Sequence, residues 1–314
     1  MNDGFNKNAR DILVIGSLAY DTVKTPSGLA ERALGGSANY FSVAASFFSK
    51  VNVVGVVGED YSQSDRDVLL SRGVNLEGMQ TAKGLTFHWA GYYEGDMSEA
   101  KTVQTDLNVF GTFNPQIPQN FKKSEFVFLA NIDPVLQLQV LSQVERPVLV
   151  GMDSMNYWIS SKKEDLLKTI AKVDIVFMND AELKQLTGEQ NVIKAIKLIP
   201  KMGPKYVVIK RGEFGSMLYS GEGKFFVTPA LPIESVIDPT GAGDSFAGGF
   251  FGWLAKNSVA KSSDTLSWAE LKQAVRAGTI MSSQTIQDFS VKNLLKLNLD
   301  KFKSLEIEHN GLSN

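Results

Sequence analysis

The chain has 314 residues, 43% hydrophobic and 21% charged, and a net charge of −2. That balance suits a packed globular core and excludes a polybasic nucleic-acid or membrane surface. The absence of cysteine excludes disulfides, thiolate metal sites and a cysteine nucleophile. Only two histidines occur, His88 and His309, and a two-histidine metal site would need both, although His309 lies in a polar tail. The first ten residues are polar, and no apolar run reaches the roughly 18 residues of a membrane span. A cytoplasmic protein is expected.

In chain order, short apolar runs predict strands over Asp11–Gly16, Val51–Val57, Phe126–Ala130, Val148–Met152, Asp174–Met178 and Tyr206–Lys210. Helical patterns between them cover Ala38–Ser49, Ser64–Arg72, Val135–Gln143, Lys163–Ala171 and Val192–Pro200. Apolar strands alternating with helices predict a mostly parallel sheet covered on both faces. Ser216–Tyr219 and Lys224–Thr228 read as an edge hairpin, followed by long helices over Ala242–Lys256 and Trp268–Thr285. Two stretches break the alternation: a short strand at Leu18–Lys24, and the polar, aromatic Leu85–Phe110. They predict a small β-lid, from about 17–34 and 84–112, inserted in a single domain over 1–314. Such a lid would cover the carboxyl ends of the main strands, where open α/β sheets bind ligands.

The most specific segment is Asp238-Pro-Thr-Gly-Ala-Gly-Asp-Ser-Phe246. A turn of small residues (Gly241, Ala242, Gly243) feeds an apolar helix, whose free N–H groups attract a phosphate. Asp244 stands within reach of a hydroxyl attacking that phosphate. No Gly-Lys-Ser/Thr follows, so this is not a Walker A loop. The helix dipole is expected to favour ionised Asp244, making it a weak base that takes a proton late. A plain glycine turn would explain the glycines but not the acid at their exit.

This segment resembles the C-terminal signature of the ribokinase-like (PfkB-type) carbohydrate kinases, and the resemblance runs from about Asp11 to Asp288. It implies a three-layer α/β/α fold with a β-lid, and an ATP- and Mg²⁺-dependent phosphotransferase. By the resemblance Asp244 is the catalytic base, and the amides of Gly241, Ala242, Gly243 and Asp244 form the anion hole, with Thr240 and Gly243 near ATP. Asp21, five residues after the glycine that ends the first strand, corresponds to a family aspartate that grips sugar hydroxyls. The Gly35-Gly36 pair matches a family contact to the sugar. The family asparagine follows such a pair after three residues, whereas two separate Gly36 from Asn39. Either Asn39 reaches the acceptor from a shifted position, or Tyr40 takes its place.

Asn179-Asp180-Ala181-Glu182 has helix capping-box spacing, and the resemblance adds a role at the Mg²⁺–phosphate region, with Glu182 acting through metal-bound water. Lys210, Gly212 and Gly215 match a segment lying against ATP, together with the helix around Arg276–Ser283. Asp238 could neighbour a monovalent cation such as K⁺. The Asp153–Trp158 stretch keeps an Asp and an Asn but lacks the family's arginine, which argues against phosphorylated acceptors. Asn131 and Asp133 close another strand and could face the cleft. Phe87, Trp89 and Tyr93 alternate along the lid; they either pack on the body or stack on a ligand, and His88 reads as an exposed strand residue.

The expected reaction is phosphorylation of a primary hydroxyl of a sugar or small polyol. A nucleoside kinase is the alternative, and a silent sensor on the same fold is a further one. The lack of Gly-x-Gly-x-x-Gly after the first strand argues against a third class, a dinucleotide oxidoreductase, and failure to bind a reduced nicotinamide cofactor would close that option. The partners are a small-molecule acceptor and ATP, without nucleic acid or membrane, and a lid-mediated homodimer is expected.

Overall fold

The computed structural model describes residues 10–312. β1 (Ile12–Ile15) leads into a hairpin of β2 (Ala19–Thr25) and β3 (Gly28–Gly35), then α1 (Ser37–Ala45), β4 (Val51–Val57), α2 (Gln63–Ser71) and β5 (Asn75–Thr81). A second hairpin follows, β6 (Phe87–Tyr92) and β7 (Lys101–Asp106). Strands and helices then alternate: β8 (Phe126–Leu129), α3 (Pro134–Leu141), β9 (Leu149–Met152), α4 (Asn156–Ser161), α5 (Lys163–Ile170), β10 (Ile175–Asn179), α6 (Asp180–Thr187), α7 (Val192–Ile196) and β11 (Tyr206–Lys210). β12 (Ser216–Ser220) and β13 (Phe225–Thr228) form the edge hairpin, followed by α8 (Ala242–Asn257), α9 (Trp268–Thr285), α10 (Lys292–Leu295) and α11 (Leu299–Gly311).

Nine strands form one sheet in the order β13-β12-β11-β10-β9-β8-β1-β4-β5, in which β12 alone runs against the rest. The chain leaves β1 toward β4 on one side and returns to β8 on the other, so a crevice opens at the carboxyl ends of these strands. A separate four-stranded sheet, ordered β3-β2-β6-β7, is the expected lid.

The main strands are apolar on both sides because each face is covered. Phe126, Phe128 and Phe177 meet α1 and α8 on one face, while Leu13, Ile15, Val127 and Leu129 meet α5 and α6 on the other. Phe41 of α1 stacks on Phe128 at 4.6 Å, and Phe251 of α8 tilts over the same ring at 5.1 Å. Removing one such ring costs about 3–5 kcal/mol. Gly151 in β9 leaves room for Phe251: a Cβ there would stand 2.5 Å from the ring. The packing that holds α8 in place therefore also holds the signature turn that precedes it.

Three expectations need correction. β3 and β5 are additional strands, since their mixed polar sequences show no apolar alternation. The helix expected over Val192–Pro200 stops at Ile196 and resumes as a 3₁₀ turn over Ile199–Met202, because Pro200 has no N–H to continue it. The polar tail is helical in α11, and His309 is fully buried there, its Nε2 within 2.9 Å of Pro229 O and 3.2 Å of Thr228 Oγ1.

Candidate active site

The crevice collects the loop after β1, the start of α1, the ends of β9, β10 and β11, the lid, and the turn before α8. Gly241 caps α8 at φ 75, a left-handed value that glycine adopts without strain, and no side chain caps this helix. A Cβ on Gly241 would run into the Tyr40 ring. Tyr40 is 2% exposed, so it forms the floor under the signature turn rather than an open contact surface.

Asn39 does not extend into the crevice. It is fully buried, its Nδ2 donates to Gly35 O at 2.6 Å, and its Oδ1 accepts from the Tyr61 hydroxyl at 3.3 Å. The side chain fixes the glycine pair instead. That matters because Asp21 lies directly on Gly35, where a Cβ would overlap its carboxylate. Gly36 (φ 92) approaches the Ser17 carbonyl just as closely.

Four charged groups gather at the strand ends. Lys210 forms a buried ion pair with Asp153, and a Cβ on Gly243 would stand 2.8 Å from Lys210 Nζ. Burial, then the neighbouring Asp153, pushes the Asp244 carboxyl up to about 7, although Lys210 and a backbone amide oppose this. Burial and Asp153 likewise push Glu182 up to about 7. Burial works against the Lys210 ammonium, but Asp153 and Glu182 outweigh it and raise its pKa. The expected preference of Asp244 for its ionised form is thus corrected: desolvation beside a second carboxylate exceeds the helix-dipole effect.

Asp21 is also pushed up to about 7, by burial and then by Asp238 and Asp244. Asp238 is 1% exposed, accepts from Thr240 N at 2.9 Å, and is raised by burial. The lid closes this group: the Tyr93 hydroxyl lies 3.3 Å from Thr240 Oγ1, and burial pushes the phenol up to about 12.

Asn179 and Glu182 form a full capping box on α6, with both bonds at 2.8 Å. Gly212 (φ 55) and Gly215 (φ 80) bracket the turn after β11. Arg276 in α9 lies over Phe226 of β13, 5.4 Å from the ring centroid. Asp133 caps α3 through Val135 N and pairs with Lys162, so it serves the fold. Asn131 accepts from Trp158 Nε1 at 3.0 Å. His88 is partly buried, 3.0 Å from Thr22 Oγ1, rather than exposed. Phe87 stacks on Phe110. Sequence reasoning did not single out Asp153 as a partner of Lys210. The available signal was a carboxylate directly after an apolar strand, at the end of the sheet where ligands bind.

Residues 9–297 match the family described as pfkB family carbohydrate kinase. The chain belongs to this family. It is 34% identical over 245 residues to the cytidine kinase of Thermococcus kodakarensis, a match covering 76% of this chain and 87% of that one. It is 26% identical over 266 residues to the nucleoside kinase of Methanothermobacter thermautotrophicus, covering 77% and 81%. The crystal structure of Methanocaldococcus jannaschii nucleoside kinase, described as an archaeal member of the ribokinase family, matches with a TM-score of 0.75 at 20% identity, over 97% of this chain and 100% of that one. The protein is therefore a sugar or nucleoside kinase of an ATP-dependent family. Among the described residues no helix is long and apolar enough to cross a membrane.

Tyr93→Phe removes the hydrogen bond between lid and signature turn. A bond of this kind contributes about 1 kcal/mol, so acceptor kcat/KM is expected to fall about fivefold in steady-state assays. An unchanged value would mean that the contact does not matter in turnover.

Proposed function

We propose that this kinase transfers the γ-phosphoryl group of ATP to the primary hydroxyl of a nucleoside, with Asp244 as the base. The observation that carries the chemistry is Asp244 itself: a carboxyl with a pKa of about 7 in the first turn of a helix that no side chain caps. A base poised near neutrality is suited to accept a hydroxyl proton. As the acceptor oxygen bonds to phosphorus, its proton passes to Asp244 and the bond to ADP breaks. The amides of Gly241, Ala242, Gly243 and Asp244 face the charge that develops on the transferred group.

Asp21 grips the ribose hydroxyls, since a carboxylate accepts two such bonds, and Gly35 and Gly36 let the sugar approach the backbone. On the nucleotide side lie Lys210, Gly212, Gly215, Asn179 and Thr240. Three carboxylates (Asp153, Glu182, Asp244) share one ammonium, Lys210, which leaves net negative charge suited to a divalent cation. No cluster of three or more such ligands is in coordinating reach among the described residues. The site thus fits Mg²⁺ held by ATP and water, with Glu182 acting through a water. That ion neutralises charge on the phosphates. Asp238 is the residue that a monovalent cation such as K⁺ would neutralise.

A nucleoside is preferred to a free sugar because the cytidine kinase matches at 34% identity along 87% of its length. The test is ADP release with Mg·ATP and cytidine, adenosine or ribose as acceptor. Turnover with a nucleoside is expected. Turnover with ribose alone would overturn the choice of acceptor, and no turnover with a broader panel of sugars and nucleosides would favour a silent sensor.

A further inference from the structure

We infer that His309, in the last turn of α11, is a positioning residue for the nucleotide: its imidazole holds the peptide on which the ATP-side turn rests. This builds on the placement of ATP along Gly212–Gly215 proposed above and adds a residue that lies outside the crevice.

β13 ends at Thr228, and Pro229 has no N–H with which to continue the ladder. Among the described residues the donor to Pro229 O is His309 Nε2, at 2.9 Å, and Thr228 Oγ1 lies 3.2 Å from the same nitrogen. A carbonyl only accepts, so Nε2 carries the proton and Nδ1 does not. His309 is fully buried, and Nδ1 has no hydrogen-bond partner among the described residues. Burial, and Arg276 of α9 nearby, lower the His309 pKa, although the bond to Pro229 and the charge of Glu308 oppose this. The ring is thus kept as a neutral donor. A buried nitrogen without a partner costs stability, so an apolar side chain would serve better here if packing were all that the position supplied. What the histidine adds is one directed bond to Pro229.

That peptide backs the turn after β11. Ser216 pairs with Thr228 across the edge hairpin, and Gly215 just before it has φ 80. A Cβ on Gly215 would stand 2.6 Å from the Pro229 carbonyl carbon, so the turn lies directly on the Thr228–Pro229 peptide. From there the chain runs to the signature turn, where Ile237 N–H donates to Ile286 O at 2.8 Å. Between these two ties Leu231 alone is buried. Pro232, Ile233, Glu234, Ser235 and Ile237 line, with Gln287, a cavity of about 400 Å³.

A segment with so little packing of its own stands where its end ties put it. Without the His309 bond the Thr228–Pro229 peptide and Gly215 are free to leave their places together. Apparent ATP affinity then falls by the fraction of molecules that keep the competent arrangement. Asp21 and Gly35 belong to the lid strands β2 and β3, so the acceptor side does not share this support.

The test compares the full-length wild type with His309→Asn, His309→Gln and His309→Leu. Turnover is followed with cytidine or, if cytidine is not phosphorylated, ribose, and Mg·ADP binding is measured by calorimetry. A glutamine amide reaches as far as Nε2, an asparagine amide only as far as Nδ1, and leucine donates nothing. His309→Asn and His309→Leu are expected to raise ATP KM and the Mg·ADP Kd about five- to tenfold, with acceptor KM and kcat changed by less than about twofold. His309→Gln should restore both constants to within about twofold of wild type. Equal rises in ATP and acceptor KM, a loss confined to kcat, or a His309→Gln as impaired as His309→Asn would overturn the positioning role. If all three variants bind Mg·ADP as the wild type does, that role alone fails. A rise confined to acceptor KM would put the acceptor against this turn, and the placement of ATP along Gly212–Gly215 would fail with it.

Discussion

Asp244→Asn is expected to lower kcat by two to four orders of magnitude, the usual contribution of a positioned general base, while making the ligand-free protein more stable above neutral pH. Both effects come from one placement. The wild-type carboxyl is pushed up to about 7 by burial and by Asp153, against an ordinary value of 3.8. Between those two values the folded state holds a proton that the unfolded state has released, so stability falls as pH rises toward 7. Above 7 the folded protein carries the buried charge and its full penalty, on the order of 4 kcal/mol. Asparagine never ionises. Its stability advantage should be absent below about pH 3, where wild-type Asp244 is protonated in both states, and should grow from there toward pH 8. Asp153 and Lys210 face the group and modulate the size of the effect without reversing it. Urea unfolding at several pH values, with ADP release at pH 8, checks both halves. A variant retaining more than a tenth of wild-type kcat would remove Asp244 from the base role. A stability difference independent of pH would remove the buried-charge explanation.

The same residue shows how far sequence reasoning reaches. The turn, the helix and the acid were legible because local rules place them: small residues before an apolar helix, and a carboxylate in its first turn. The protonation preference was not legible, since it depends on Asp153, which lies far off in sequence and arrives through the pairing of β9 with β10. Asn39 and Tyr40 show the same limit. Their spacing marked the turn at the start of α1, but only the packed structure shows Asn39 bonded to Gly35 and Tyr61, and Tyr40 lying under Gly241. The alternating strands and helices of the main sheet were readable because strands buried on both faces must be apolar. β3 and β5 were not, because lid and edge strands are half-exposed and mixed in sequence. Trp89 was visible as one ring in an alternating lid, while its register opposite Asp21 required the pairing of β2 with β6.

Lys210→Met is expected to destabilise the protein by about 3–5 kcal/mol, as when one partner of a buried ion pair is removed. Asp153 is 5% and Lys210 19% exposed at the side chain, so water does little to screen what is left. The loss should exceed that of an isolated pair, because Asp153 would remain beside Glu182 and Asp244 with no nearby ammonium. Its pH dependence follows from the same charges. At low pH the carboxylates take up protons and the variant approaches the wild type; at high pH they stay charged and the gap widens. The two substitutions therefore act in opposite directions above neutrality: Asp244→Asn removes a negative charge from the cluster, and Lys210→Met removes its one positive charge. Asp153→Asn placed in the Lys210→Met background should restore a large part of the stability, since the uncompensated carboxylate is what costs most. It should not restore affinity for ATP if Lys210 meets phosphate, so the double variant separates the structural part of the lysine from its ligand contact. Unfolding midpoints equal to wild type for Lys210→Met, or losses that simply add in the double variant, would show that the pair is not the element holding these strand ends together.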